Sequence, residues 1–316
     1  MSLLEIRALT VRYKSRAGPV PAVQDLDLDL EKGKTLGLVG ESGCGKSTLG
    51  KAVLRILPER TEVLGSIRFA GKDLVAASAA DLQAIRGYNV SLIFQDPMTR
   101  LDPLMTIEDH FLELLRSHES EIEDDAARER AKTVLTAVRI PPDRMGQYPH
   151  EFSGGMRQRI MIALALVFNP TLLIADEPTT SLDVIVEAQI LHLLDSIKRD
   201  FDMGVMLITH NLGLVAEYAD EMAVMYAGRI VERGHVPEVF RDPLHPYTKG
   251  LLESVIDLDT KALTSIPGQP PDLLDPPKGC AFHPRCAAVM AQCSSAVPPV
   301  TRPREGRETR CYLYPG

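Results

Sequence analysis

The chain has 316 residues, enough for one large domain or one domain plus an extension, and a net charge of −8, with 45% apolar and 25% charged residues, the balance of an ordinary globular protein. No apolar run approaches the roughly 20 residues that cross a bilayer. The opening Met-Ser-Leu-Leu-Glu-Ile-Arg has no basic stretch ahead of a hydrophobic one, so a cytoplasmic chain is expected. Lys and Arg form no stripe, which argues against nucleic acid as a partner.

Residues 3–13 alternate between apolar and polar and read as an edge strand. Residues 35–39 form a short apolar strand that breaks into a glycine-rich loop, and 46–57 follow with helical spacing up to Pro58. Residues 91–94 suggest another core strand. From 96 to 168 the texture turns helical. The acidic run 119–125 ahead of Arg128, Arg130 and Lys132 suits the dipole of a solvated helix. Ser153 can cap a helix through 156–167 that Pro170 keeps from continuing. A buried strand at 172–175, a helix at 184–198 and a strand at 205–209 come next, and 221–226 and 229–232 flank Ala227-Gly228 as a hairpin. Beyond Phe240 prolines are dense (Pro243, Pro246, Pro267, Pro270, Pro271, Pro276, Pro277), and little regular structure is expected. The predicted fold is an α/β core over 1–95 and 169–240, a helical subdomain over 96–168, and an irregular extension over 241–316.

Gly40-Glu41-Ser42-Gly43-Cys44-Gly45-Lys46-Ser47 fits G-x-x-x-x-G-K-S/T between a strand and a helix, the opening unit of a P-loop fold. The glycines let backbone N–H groups turn inward around phosphate oxygens, and the helix adds the positive end of its dipole. Lys46 can reach the β- and γ-phosphates and the Ser47 hydroxyl can coordinate Mg²⁺, while Cys44 contributes only its backbone; Thr48 joins the nucleotide-binding set. A lone P-loop leaves kinases, GTPases and ATPases open. Leu172-Leu173-Ile174-Ala175-Asp176-Glu177 is a buried strand ending in two carboxylates: Asp176 suits Mg²⁺, and Glu177 can polarise an attacking water. Taken alone, an Asp-Glu pair at a strand end is often only solvated.

Phe152-Ser153-Gly154-Gly155-Met156-Arg157-Gln158-Arg159 resembles the ABC signature, LSGGQ, with Phe152 for leucine and Met156 for glutamine. With the P-loop, Asp176-Glu177, Ser181-Leu182-Asp183 and Thr209-His210, it is similar in order to the full motif set of an ABC ATPase. The resemblance implies a P-loop NTPase with a RecA-like core, an antiparallel edge sheet, and ATP sandwiched between two chains. It also implies a γ-phosphate contact to the partner's nucleotide from Ser153 and Gly155, with Gly154 beside them, and a coupling loop containing Asp183. Gln95 is implied as the Q-loop contact to Mg²⁺ and water, His210 as the switch histidine, and Tyr13 as the adenine-stacking aromatic. Singly these residues are weak signals, since a lone His or Tyr at a strand end more often packs or solvates. A soluble ABC ATPase of DNA repair or translation would carry a coiled-coil insertion or two cassettes, and a P-loop kinase would lack the Ser-Gly-Gly segment.

Four of the five cysteines, Cys280, Cys286, Cys293 and Cys311, lie in the proline-rich tail. Their spacing lacks the C-x₂₋₄-C knuckle of structural zinc, and four thiolates suit an iron–sulfur cluster; the chemistry alone leaves cluster, zinc and reduced structural cysteines open. Gly279-Cys280-Ala281-Phe282-His283-Pro284-Arg285-Cys286, Asp242-Pro243-Leu244-His245-Pro246-Tyr247-Thr248 and Glu41-Ser42-Gly43 resemble the dipeptide/oligopeptide permease ATPases. That resemblance implies a 4Fe-4S cluster on the four cysteines, with zinc as the alternative. It implies a peripheral ATPase at the cytoplasmic face of the inner membrane, paired with a related second ATPase, a homodimer being the alternative. The implied assembly includes two integral-membrane permease subunits and an extracytoplasmic binding protein. Peptides are the implied cargo, and nickel, glutathione and sugar-derived compounds are the alternatives.

Overall fold

The computed structural model describes residues 2–94, 100–179, 183–254 and 265–314. It opens with β1 (Ser2–Ser15), β2 (Gly18–Glu31), β3 (Thr35–Val39), α1 (Lys46–Val53), β4 (Glu62–Phe69) and β5 (Lys72–Asp73). Next come α2 (Ala79–Ile85), β6 (Val90–Ile93), α3 (Ile107–His118), α4 (Asp124–Ala137), α5 (Gly154–Leu166), β7 (Leu172–Asp176), α6 (Val184–Phe201) and β8 (Gly204–Ile208). The last elements are α7 (Leu212–Tyr218), β9 (Glu221–Tyr226), β10 (Arg229–His235), α8 (Val236–Arg241), α9 (Pro246–Glu253), β11 (Thr301–Arg304) and β12 (Arg307–Thr309). These divide into two compact units, Met1–Ala77 with Met206–Gly316, and Ser78–Val205, the division running through β8.

In the first unit β2, β1, β4 and β5 form one antiparallel sheet. β2 was not expected from the sequence, although its Asp25-Leu26-Asp27-Leu28-Asp29-Leu30 run has strict alternation: the leucines are buried and the aspartates line the other face. The second sheet of this unit runs β11-β12-β10-β9-β3, with β8 beside β3. β3 and β9 are parallel, and both faces of β3 are buried, as a continuous apolar run requires. α1 stops at Val53 rather than reaching residue 57, because Arg55 turns left-handed at φ 53°.

The tail is more ordered than its prolines suggested. Pro246 opens α9, where its fixed φ fits a first helical turn and its missing N–H costs nothing, and His245 Nδ1 accepts from the Tyr247 N–H at 3.0 Å. Arg307 of β12 forms a buried ion pair with Glu232 of β10, which also accepts from the Leu244 and His245 N–H groups at 2.9 and 2.8 Å. Tyr226, Val239, Tyr247 and Phe282 then share one apolar cluster, so the extension is part of this unit's core.

In the second unit β6 and β7 pair in parallel with Val90 opposite Leu172. Ser78 and Thr106 open α2 and α3 with capping boxes to Asp81 and Asp109. The acidic run at 119–125 is not one helix face. Glu119 caps the end of α3 and takes Arg130 Nη1 on both carboxylate oxygens at 2.7 and 2.8 Å, while Asp124 and Asp125 open α4.

Candidate functional site

The 40–47 loop is a backbone cage built from close approaches. Gly45 precedes α1 at φ 109°, and a Cβ there would meet the Ala22 carbonyl oxygen at 2.1 Å; at Gly40, φ 154°, it would meet Met225 O at 2.2 Å. Only glycine fits either position. The N-cap of α1 is Gly45, which makes no side-chain cap, and a helix start of this kind suits an anion. Lys46 is buried and its Nζ donates to Gly40 O at 2.7 Å and Glu41 O at 3.2 Å. Cys44 is buried too, and burial raises its thiol above the ordinary value; its carbonyl accepts from Gly228 N–H at 2.9 Å in the β9–β10 turn. Ser42 and Gly43 are exposed, and Ser47 and Thr48 stand in the first turn of α1. The Tyr13 hydroxyl donates to Thr48 Oγ1 at 3.1 Å, which brings the expected aromatic to the loop's helix. His210 is exposed just past β8, in the same unit.

Sequence reasoning missed two residues that touch this loop, Tyr247 and Arg285, whose hydrogen bonds reach Glu41 across 206 and 244 positions. No local pattern announces contacts of that span.

In the second unit Asp176 ends β7 and is buried, and Glu177 follows at φ 48°, a left-handed conformation sparsely used by non-glycine residues. Such a backbone re-aims the carboxylate at a strand tip. Ser153 caps α5, its hydroxyl accepting from Met156 N–H at 3.3 Å. The two departures from LSGGQ are tied together: Phe152 is buried with the Arg144 guanidinium 4.4 Å from its ring centroid, and Arg144 Nη1 reaches Met156 Sδ at 3.6 Å. Gly154 opens the helix. A Cβ on Gly155 would lie 2.7 Å from Val186 Cγ1, so glycine here lets α5 approach the first turn of α6, the helix that Asp183 caps through Val186 N–H at 2.9 Å. Gln95, Ser181 and Leu182 lie outside the described residues.

Cys280, Cys286, Cys293 and Cys311 line one small cavity of about 10 Å³ together with His245 and His283. All four are free thiols. Burial raises the Cys280 and Cys286 thiols and pushes Cys311 up to about 11, with neighbouring thiols adding to each shift. Among the described residues no group of three or more His, Cys, Asp or Glu side chains is placed to hold a metal ion, the four cysteines included. No described helix is long and apolar enough to cross a membrane.

Comparison with known proteins agrees with this arrangement. The ABC transporter family matches residues 23–180, and the oligopeptide/dipeptide transporter C-terminal region matches residues 231–293. The chain is 49% identical to the oligopeptide transport ATP-binding protein OppD of Haemophilus influenzae, over 98% of this chain and 97% of that protein. It is 46% identical to the dipeptide transport ATP-binding protein DppD of Bacillus subtilis, over 98% and 94%. Among solved structures, the dimeric MJ0796 ABC transporter cassette shares the fold with a TM-score of 0.66 at 24% identity, covering 74% of this chain and 98% of that one. CbiO1 of Clostridium perfringens, part of the transporter complex cbiONQ, gives a TM-score of 0.66 at 26% identity, over 76% and 91%. The chain belongs to the ATP-hydrolysing subunits of the ABC transporter family, in the branch that carries the oligopeptide/dipeptide transporter C-terminal region.

Proposed function

We propose that this chain is the ATPase that powers import of di- or oligopeptides, working peripherally at the cytoplasmic face of the inner membrane. One observation carries the reading: near-full-length identity to OppD and DppD, whose names specify peptide transport, extends through the cysteine-bearing tail. We assign 1–95 and 169–240 to the ATPase core, 96–168 to the helical subdomain and 241–316 to the extension. The backbone N–H groups of the 40–47 loop, with Lys46, Ser47 and Thr48, hold the triphosphate; Ser47, Asp176 and Gln95 hold Mg²⁺; Tyr13 packs on adenine. Glu177 polarises the attacking water, and Gln95 and His210 meet the γ-phosphate end. Ser153, Gly154 and Gly155 complete the nucleotide of a second, related ATPase subunit, and Asp183 couples the two sites. Closure around ATP drives two integral-membrane permease subunits fed by an extracytoplasmic binding protein, and hydrolysis reopens the dimer.

Two experiments test this. Glu177→Gln is expected to bind ATP, stall as a closed dimer and lose about 10²–10⁴-fold in phosphate release; full turnover would remove Glu177 from its role. Purification of the assembled complex with its binding protein, followed by mass spectrometry of the co-purifying ligand, is expected to yield peptides; nickel, glutathione or a sugar-derived compound would overturn the cargo.

For the tail we propose a 4Fe-4S cluster on Cys280, Cys286, Cys293 and Cys311, with a structural role. The support is the cavity that the four cysteines share, since four thiolates suit such a cluster. Anaerobic purification with iron, sulfide and zinc assays decides it: stoichiometric zinc without iron, or no metal, would overturn the cluster.

A further inference from the structure

Glu41 is held at all three of its polar points. Its N–H donates to Tyr247 Oη at 2.9 Å, its carbonyl accepts from Lys46 Nζ at 3.2 Å, and its carboxylate meets the Arg285 guanidinium as a fork, Nη1 to Oε2 at 2.7 Å and Nη2 to Oε1 at 3.0 Å. The Arg285 side chain is only 6% exposed. Its remaining N–H groups go to Pro267 O at 2.8 Å, Tyr226 Oη at 3.3 Å and Ile266 O at 3.4 Å, so all five donors of the guanidinium have acceptors. Tyr247 is fully buried, its ring 4.5 Å from Tyr226 and 5.3 Å from Phe282. Burial also keeps its phenol protonated by raising its pKa. These are fixed partners, and both come from the C-terminal extension.

A carboxylate inside a loop that takes a triphosphate is an electrostatic liability, because like charges at short range repel strongly where solvent is thin. Held by Arg285, the Glu41 charge is neutralised and aimed at the extension. The Tyr247 hydroxyl meanwhile occupies the one Glu41 donor that would otherwise need an acceptor. We infer that Arg285 and Tyr247 are positioning residues of the ATPase, which set the shape and the charge of the phosphate loop through Glu41. The short turn His283–Arg285 that carries Arg285 leads straight into Cys286, so the segment that gathers the cysteines is also the segment that grips the loop.

The inference rests on the 40–47 loop being the ATP site, and the test separates the two. ATP affinity, KM, kcat and thermal midpoint are measured on the full-length chain and its variants. Arg285→Ala is expected to raise the ATP Kd and KM at least about tenfold with a much smaller change in kcat. Arg285→Lys recovers only part of that, since a lysine cannot make the fork. Glu41→Gln added to Arg285→Ala restores affinity towards the parent, because the unpaired charge is gone. Tyr247→Phe, which removes one oxygen, raises KM about fivefold and stays informative if Arg285→Ala does not fold. A lowered midpoint with unchanged KM in Arg285→Ala and Tyr247→Phe would reduce both residues to staples and overturn the inference, as would a double variant no better than Arg285→Ala. Lys46→Ala is the control. Normal ATP affinity in Lys46→Ala would sink the site assignment itself; its loss beside normal affinity in Arg285→Ala would sink only the inference.

Discussion

The N-cap of helix α1 is Gly45, which makes no side-chain cap, whereas that of α5 is Ser153, whose hydroxyl accepts from Met156 N–H. Both are helix N-termini of the kind that attract anions. The loop ahead of the first is held by distant chain: Gly228 on Cys44 O, Tyr247 on Glu41 N, Arg285 on the Glu41 carboxylate. The second is held by near neighbours in sequence, Arg144, Phe152 and Met156, and by its own cap. A helix start without a side-chain cap depends more on outside support, and damage to that support should reach α1 and not α5.

The largest effect expected is from Arg307→Ala. Glu232 has no exposed surface, and Arg307 is its charge partner; removing the cation strands a buried carboxylate and costs about 3–5 kcal/mol. Glu232 also fixes the Leu244 and His245 N–H groups just ahead of Tyr247, so the lesion lies behind the phosphate loop. Urea unfolding gives the magnitude, and hydrogen exchange locates it. The Glu41 and Tyr247 amides should lose protection while Met156 keeps its own; equal loss at Met156 would break the asymmetry.

A smaller effect comes from acid. His245 is wholly buried, its pKa pushed down to about 3, and its Nδ1 accepts from Tyr247 N–H, so the folded ring is neutral. The unfolded chain takes up a proton near pH 6.5 while the folded one does not, so stability is lost as pH falls from about 6.5 towards 3. Between pH 7 and 5 this one group accounts for about 2 kcal/mol. In His245→Asn the urea-derived stability should fall by that much less over the same range, and parallel pH curves for parent and variant would refute the origin of the effect.

The near-neighbour helix start was legible in the sequence and the outside support was not, for one physical reason. Ser153 as a cap, the Gly40-to-Ser47 spacing and the apolar run of β7 are local patterns, set by backbone geometry within a turn or two. The Asp-Leu alternation of β2 is equally local. Glu232–Arg307 and Glu41–Arg285 join residues 75 and 244 positions apart, and no period or spacing encodes such a pair. The prolines misled for a related reason. Pro246 marks where a helix can start as readily as where structure ends, and only the partners of His245 decide which.

The smallest expected effect falls on α5. Ser153→Ala removes the acceptor for Met156 N–H and should cost about 1 kcal/mol, seen as faster exchange at Met156 with Glu41 and Tyr247 unchanged, the mirror image of Arg307→Ala. Because Ser153 is also assigned to the partner's nucleotide, loss of the cap and loss of that contact must be told apart. Asparagine caps a helix about as well as serine, yet places a larger amide where the hydroxyl stood. Ser153→Asn should therefore keep the stability of the parent and still lose phosphate release. If Ser153→Asn retained turnover, and Ser153→Ala lost it only in proportion to unfolding, Ser153 would be a cap alone, and the second helix start would be self-sufficient without being an anion site.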